Sequence, residues 1–138
     1  SLVGLIEPLG FETSTLRDKA DAVKAIDAIG AQDRFCIVHD TFHHYAAGGG
    51  AIFPEHTGIV HISGVVKSNL DSTDLRDEYR VLIDEYDVLG NVDQLASLLK
   101  AGYEGPISFE PFSPEVLTLA DASKALAKSF TFIEENMQ

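Results

Sequence analysis

Four short apolar runs, each closed by a carboxylate or an imidazole, recur along the chain with room for a helix or a long loop between them. Leu2-Val3-Gly4-Leu5-Ile6 ends at Glu7, and Phe35-Cys36-Ile37-Val38-His39 ends at Asp40. Gly58-Ile59-Val60 ends at His61, and Pro106-Ile107-Ser108-Phe109 ends at Glu110. Runs of this length and composition predict buried strands. In a parallel α/β protein the C-terminal ends of the strands open onto one face, and that face carries the active site. Two Glu, one Asp and one His gathered there make a set of donors suited to one hard-to-borderline divalent ion.

The segments between these runs support parallel β/α units. Strands are predicted at 2–7, 34–39, 57–62 and 106–110. Ser14 or Thr15 is expected to cap a first helix, with Asp18 in its first turn. Leu16, Ala20, Val23 and Ile26 follow at helical spacing, and Gly30 ends that helix. Residues 40–56 read as a long polar and aromatic loop with room for one helical turn, and loops of this content carry function more often than spacing. Residues 63–90 are irregular, and the run Tyr79-Arg80-Val81-Leu82-Ile83 fits either an extended or a helical form. Asn91 is expected to cap a helix with Val92, Leu95, Leu98 and Leu99 on one face. Asp121 is expected to cap a last helix with Ala122, Leu126, Phe130 and Ile133 inward. There is no hairpin signal, so the fold class is α/β: parallel (β/α) units, half of an eight-stranded barrel. Four parallel strands leave two unpaired edges and an uncovered inner face. A missing N-terminal half-barrel, a second copy in a homo-oligomer, or collapse to an open doubly wound sheet would close them.

Charge and cysteine content narrow the function. The 138 residues carry a net charge of −12, which excludes the basic footprint of a nucleic-acid binder and favours a neutral or weakly charged substrate. Cys36 is the single cysteine, so an intrachain disulfide and a thiolate zinc cluster are excluded, and a buried, inert thiol is expected. No apolar run is long enough to span a bilayer, and no basic-then-apolar leader precedes residue 1. A cytoplasmic setting without membrane partners is the expectation. The chain opens at Ser1 inside a strand-like run, which suggests an upstream portion.

The ordered series of motifs resembles the C-terminal half of the xylose isomerase-like barrels, the sugar isomerase/epimerase superfamily, and within it the keto-inositol (inosose) isomerases above all. It comprises Glu7 at its strand end, Asp40-Thr41-Phe42-His43-His44, Val60-His61-Ile62, Leu75-Arg76-Asp77-Glu78-Tyr79-Arg80-Val81, and Ser108-Phe109-Glu110-Pro111-Phe112-Ser113-Pro114-Glu115. The resemblance implies that Glu7, Asp40, His61 and Glu110 bind one divalent ion (Mn²⁺, Mg²⁺, Co²⁺ or Zn²⁺). It implies that Glu7 and Glu110 transfer protons, and that His43 and Arg80 hold a small sugar or cyclitol substrate. Two positions depart from the pattern: Ile83-Asp84-Glu85-Tyr86-Asp87 replaces a Pro-Gly turn, and Lys67 stands where many epimerases carry an Arg.

That donor set fits the chemistry of an α-hydroxyketone. A divalent ion holding the carbonyl and hydroxyl oxygens acidifies the C–H between them and stabilises the resulting enediolate. One carboxylate removes the proton, and a second, on the opposite face, returns it to the other side or to the neighbouring carbon. Glu7 and Glu110 close the first and last strands and so suit the two faces; His43 and Arg80 suit the alkoxide charge. Each residue also has a plainer reading. Glu7 could face solvent, Asp40 could cap the next turn, His61 could be a core histidine, Glu110 could pair with a Lys, and Arg80 could form an exposed ion pair with Asp77 or Asp84. Four coincidences in one phase favour the site. His39 and His44 are expected to be structural or at the loop surface. Gly48-Gly49-Gly50 lacks the Lys-Ser/Thr of a phosphate loop. A ketose 3-epimerase is the nearest rival. The acidic balance argues against an apurinic-site endonuclease on the same fold. A non-catalytic fragment or a half-barrel that needs a partner is the other class.

Overall fold

The computed structural model describes residues 2–137. Four parallel strands form one sheet in the order β1 (Gly4–Ile6), β2 (Phe35–Asp40), β3 (Thr57–Ile62) and β4 (Ile107–Phe109). Between and after them come α1 (Lys19–Ala28), α2 (Thr41–Ala46), α3 (Asn91–Lys100), α4 (Pro114–Leu117) and α5 (Ala122–Asn136). Strands neighbouring in sequence are parallel neighbours in the sheet, as in successive β/α units. The register pairs Asp40 with His61, and His61 with Ser108, so the ends of the inner strands lie level. The architecture is that of a partial TIM barrel.

One face of the sheet carries the core. Ile37 packs with Ala22, Val23 and Ile26 of α1. Val60 and Ile62 pack with Leu95, Leu98, Tyr103 and Ile133, with Ile107 and Phe109 against them. A third cluster, Phe42, Ala46, Val65, Leu75 and Leu89, lies beyond the strand ends. Alternation along the strands turns Leu5, Cys36, Ile59 and Ser108 to the opposite face, together with Glu7, Asp40, His61 and Glu110. Leu5 there is 48% exposed. Cys36 is half-buried rather than buried, because its side of the sheet is the open one.

Several local expectations change. Asp18, not Ser14 or Thr15, caps α1: its Oδ1 accepts from Ala20 N at 2.8 Å, whereas Ser14 Oγ donates to Leu16 O. Asn91 is the first residue of α3 rather than its cap, and Gly90 holds the cap position at φ +68°. The Asn91 amide instead donates to Ser63 O and Asp87 Oδ2, tying α3 to the end of β3. Phe130 is 47% exposed at the margin of α5, with its ring edge-on to Phe109 at 4.8 Å, and Ala122 is exposed; the buried positions of α5 are Ser129 and Ile133. Residues 40–56 begin with a full short helix, α2. Gly48, Gly49 and Gly50 then take φ of +92°, +78° and +110°, where side chains are strongly disfavoured. In the irregular stretch, Gly64 and Val81 form an antiparallel bridge, so the run after Arg80 is extended.

Candidate active site

The strand ends place the four expected donors together. Each of Glu7, Asp40, His61 and Glu110 offers one ligand atom, and these atoms all lie within 4.8 Å of one another. Oxygen and nitrogen donors about 2.0–2.4 Å from one ion can be at most about 4–4.8 Å apart, so the quartet has the dimensions of a single-ion site. His61 Nδ1 is central, 3.4 Å from Glu7 Oε1 and 3.3 Å from Glu110 Oε1. Glu110 is set by the sheet itself, because its backbone N–H donates to Ile62 O at 2.8 Å. The donor chemistry therefore fits a divalent cation.

Arg80 organises two of the carboxylates. Its guanidinium is 1% exposed, stacked between the rings of Phe42 and Phe112 at 4.9 Å from each. One terminal nitrogen donates both to Asp40 Oδ2 and, at 3.0 Å, to Glu110 Oε2. The other donates to Asp77 Oδ1 at 3.4 Å, and Nε donates to Ser63 Oγ at 2.9 Å. Four of its five N–H groups are thus engaged. The exposed ion pair with Asp77 or Asp84 is corrected: the Asp77 contact exists, but the guanidinium is buried. Glu110 pairs with this Arg and not with a Lys. Its two oxygens are divided, one on Arg80 and one beside His61. Burial pushes the Glu110 carboxyl above its usual range, against the pull of His61 and Arg80.

Asp40 does cap the next turn, with Oδ1 accepting from His43 N at 2.8 Å at the start of α2, and its second oxygen, Oδ2, is held by Arg80. The cap brings His43 into the site region, 5% exposed and edge-on to Phe11 and Phe42. Its Nδ1 accepts from Gly10 N at 3.2 Å, which leaves the proton on Nε2. Burial lowers the His43 pKa, so the ring is a neutral donor. His39 is fully buried, in keeping with its structural assignment, and His44 is partly buried beside it. Ser63, Phe42 and Phe112, which hold Arg80, carry no signal in the sequence that marks them for it. A serine after a strand and two aromatics are ordinary until the fold brings them together.

The family model described as a xylose isomerase-like TIM barrel matches residues 2–136. An inosose isomerase of Halalkalibacterium halodurans is 31% identical over 122 residues, which cover 83% of this chain and 41% of that protein. A xylose isomerase domain-containing protein from Salmonella typhimurium LT2 superimposes with a TM-score of 0.86 at 32% identity, over 99% of this chain and 51% of the other. The IolI protein, whose crystal structure holds a zinc atom, shares the fold with a TM-score of 0.80 at 20% identity, over 96% and 49% of the two chains. The chain spans about half the length of these solved structures and less than half of the inosose isomerase. With parallel strands ending in this quartet and a family match across nearly every residue, the chain belongs to the xylose isomerase-like TIM barrel family.

Proposed function

We propose that the chain is strands five to eight, the C-terminal half, of a divalent-metal-dependent isomerase or epimerase for a small sugar or cyclitol bearing an α-hydroxyketone. The observation that carries this reading is the quartet of donor atoms within 4.8 Å at four adjacent strand ends. The inosose isomerase at 31% identity favours a keto-inositol, and a free ketose is the other member of the class. The IolI neighbour with its zinc atom supports a divalent ion, and Mn²⁺, Mg²⁺ and Co²⁺ also tolerate Glu, Asp and His donors.

Glu7, Asp40, His61 and Glu110 hold the ion. When bound there, a divalent ion would supply Lewis-acid polarisation of a substrate carbonyl. Glu7 and Glu110 flank the substrate carbon from the two ends of the half-sheet, one removing a proton and the other returning it. Glu110 is the better-defined member of the pair, since Arg80 anchors one oxygen and leaves the other beside His61. His43 presents Nε2–H to a substrate oxygen, while Arg80, buried between Phe42 and Phe112, acts on the site through the Asp40 and Glu110 carboxylates it holds. The pocket is completed by an N-terminal half-barrel or by a second copy of this chain.

The test is made on the full-length protein. Metal content is measured after equilibration with each of the four ions, followed by a turnover screen of inososes and free ketoses. One bound ion per chain with metal-dependent turnover is expected. A protein that binds no divalent ion would contradict the reading. Turnover of a ketose at C3 with no activity on inososes would select the epimerase instead.

A further inference from the structure

A second polar cluster lies behind β2, on the side away from the quartet. Lys19, the first residue of α1, is only 7% exposed. Its Nζ lies 2.8 Å from His39 Nδ1 and 2.7 Å from His44 Nδ1. The lysine nitrogen is the donor to both, so each ring accepts at Nδ1 and carries its proton on Nε2. His39 Nε2 then donates to Gln94 Oε1 at 3.1 Å. The Gln94 amide donates in turn to Thr41 O at 3.2 Å and Leu89 O at 3.0 Å.

This chain of bonds joins α1, the junction of β2 and α2, and α3, and it attaches at residues 39, 41 and 44. Asp40 and His43 lie between those points. The backbone on each side of the Asp40 carboxylate is thus tied to a neighbouring element, while the carboxylate itself faces Arg80. A small cavity of about 10 Å³ has Lys19, Asp40, His43 and His44 among its lining residues, so the cluster and the end of β2 border one space. Filling such a space with a lysine is costly, because a buried amine loses its hydration; an apolar side chain of similar length would pack there without that cost. Burial accordingly lowers Lys19 to about 7, and the bonds at Nδ1 and Nε2 fix the His39 ring as an acceptor from Lys19 and a donor to Gln94.

We propose that Lys19 is a positioning residue for the metal-suited quartet: by bonding His39 and His44 together it fixes Asp40 and His43 at the end of β2. This role rests on the quartet being the metal site proposed for it. Lys19 touches neither substrate nor ion; it acts through the two rings, as supporting groups behind metal ligands do.

The experiment compares the full-length protein with its Lys19→Met, Lys19→Arg and His44→Asn variants. Three quantities are measured: the dissociation constant for Mn²⁺ alone, the melting temperature in chelator, and the imidazole ¹⁵N shifts. Lys19→Met is expected to weaken Mn²⁺ binding about 10–100-fold, with the metal-free melting temperature unchanged or raised. His44→Asn should give a smaller loss, and Lys19→Arg should recover part of it. The His43 ¹⁵N signals should move in Lys19→Met together with those of His39. Mn²⁺ affinity within twofold of wild type, or a fall in affinity matched by a fall in melting temperature, would overturn the proposal. If Lys19→Met does not fold, His44→Asn carries the same test from a partly exposed position. If the wild type binds no Mn²⁺, the quartet reading fails on its own, and unmoved His43 signals would separately overturn the role of Lys19.

Discussion

Glu110 is the residue on which the proposed chemistry depends most. Glu110→Gln keeps the shape and can still accept from Arg80, but it removes the proton-transfer group. Turnover in the full-length protein should fall by at least about 100-fold, with the circular dichroism spectrum unchanged. Retained turnover would remove Glu110 from the chemistry. A pH effect follows from the two histidines behind β2. Burial, with the neighbouring Lys19, holds His39 near 3 and His44 near 4 in the folded chain, below the ordinary histidine value of 6.5. The unfolded chain therefore binds more protons than the folded one between those values. Their contribution to stability is complete above pH 6.5 and is lost as pH falls from 6.5 toward 4 and then 3. Denaturation in chelator across that window should show the decline, and His44→Asn should flatten its upper part. At this scale the quartet was legible because four strand ends share one phase. The burial of Arg80 was not, since it depends on two aromatics and a serine from distant parts of the chain.

The strands and α1, α3 and α5 were legible from apolar periodicity, to within a few residues at their ends. The caps were less so. Ser14, Thr15 and Asp18 all have capping side chains, and only the path of the chain selects Asp18. Asn91 has the right chemistry for a cap, but its amide is committed to Ser63 and Asp87, so Gly90 takes the cap position with its left-handed conformation. β3 carries a further constraint. Next to the register shift between β2 and β3, a Cβ on Gly58 would lie 2.5 Å from Leu5 Cδ2 and 3.0 Å from Cys36 Cβ. Gly58→Val should therefore cost about 1–3 kcal/mol by overpacking, measured as a lower urea midpoint at unchanged m-value. A neutral result would mean that β1 moves aside at no cost.

The whole chain presents a sheet with helices on one side and an open face on the other. Leu2, Val3 and Leu5 at the β1 edge are 97%, 48% and 48% exposed. No helix among the described residues is long and apolar enough to cross a membrane. An apolar edge of this kind drives association until something covers it. The 138-residue segment expressed alone should bind a hydrophobic dye and self-associate, and adding the remaining half-barrel of the full-length protein as a separate chain should suppress both. A monodisperse segment that binds no dye would show that the open face needs no cover. That four units make half a barrel was legible from their number and order. The exposure of one sheet face was predicted by the same count, whereas the degree of exposure of Cys36 needed the fold.

The most direct test of two-carboxylate, metal-assisted proton transfer is solvent exchange at the substrate carbon. Full-length protein is loaded with Mn²⁺ and incubated in D₂O with an inosose or a free ketose, and deuterium at the carbon next to the carbonyl is followed by NMR. Incorporation well above the buffer rate is expected, abolished by chelator and by Glu110→Gln. Exchange at the buffer rate with every substrate offered, or exchange that is indifferent to chelator, would contradict the proposed chemistry.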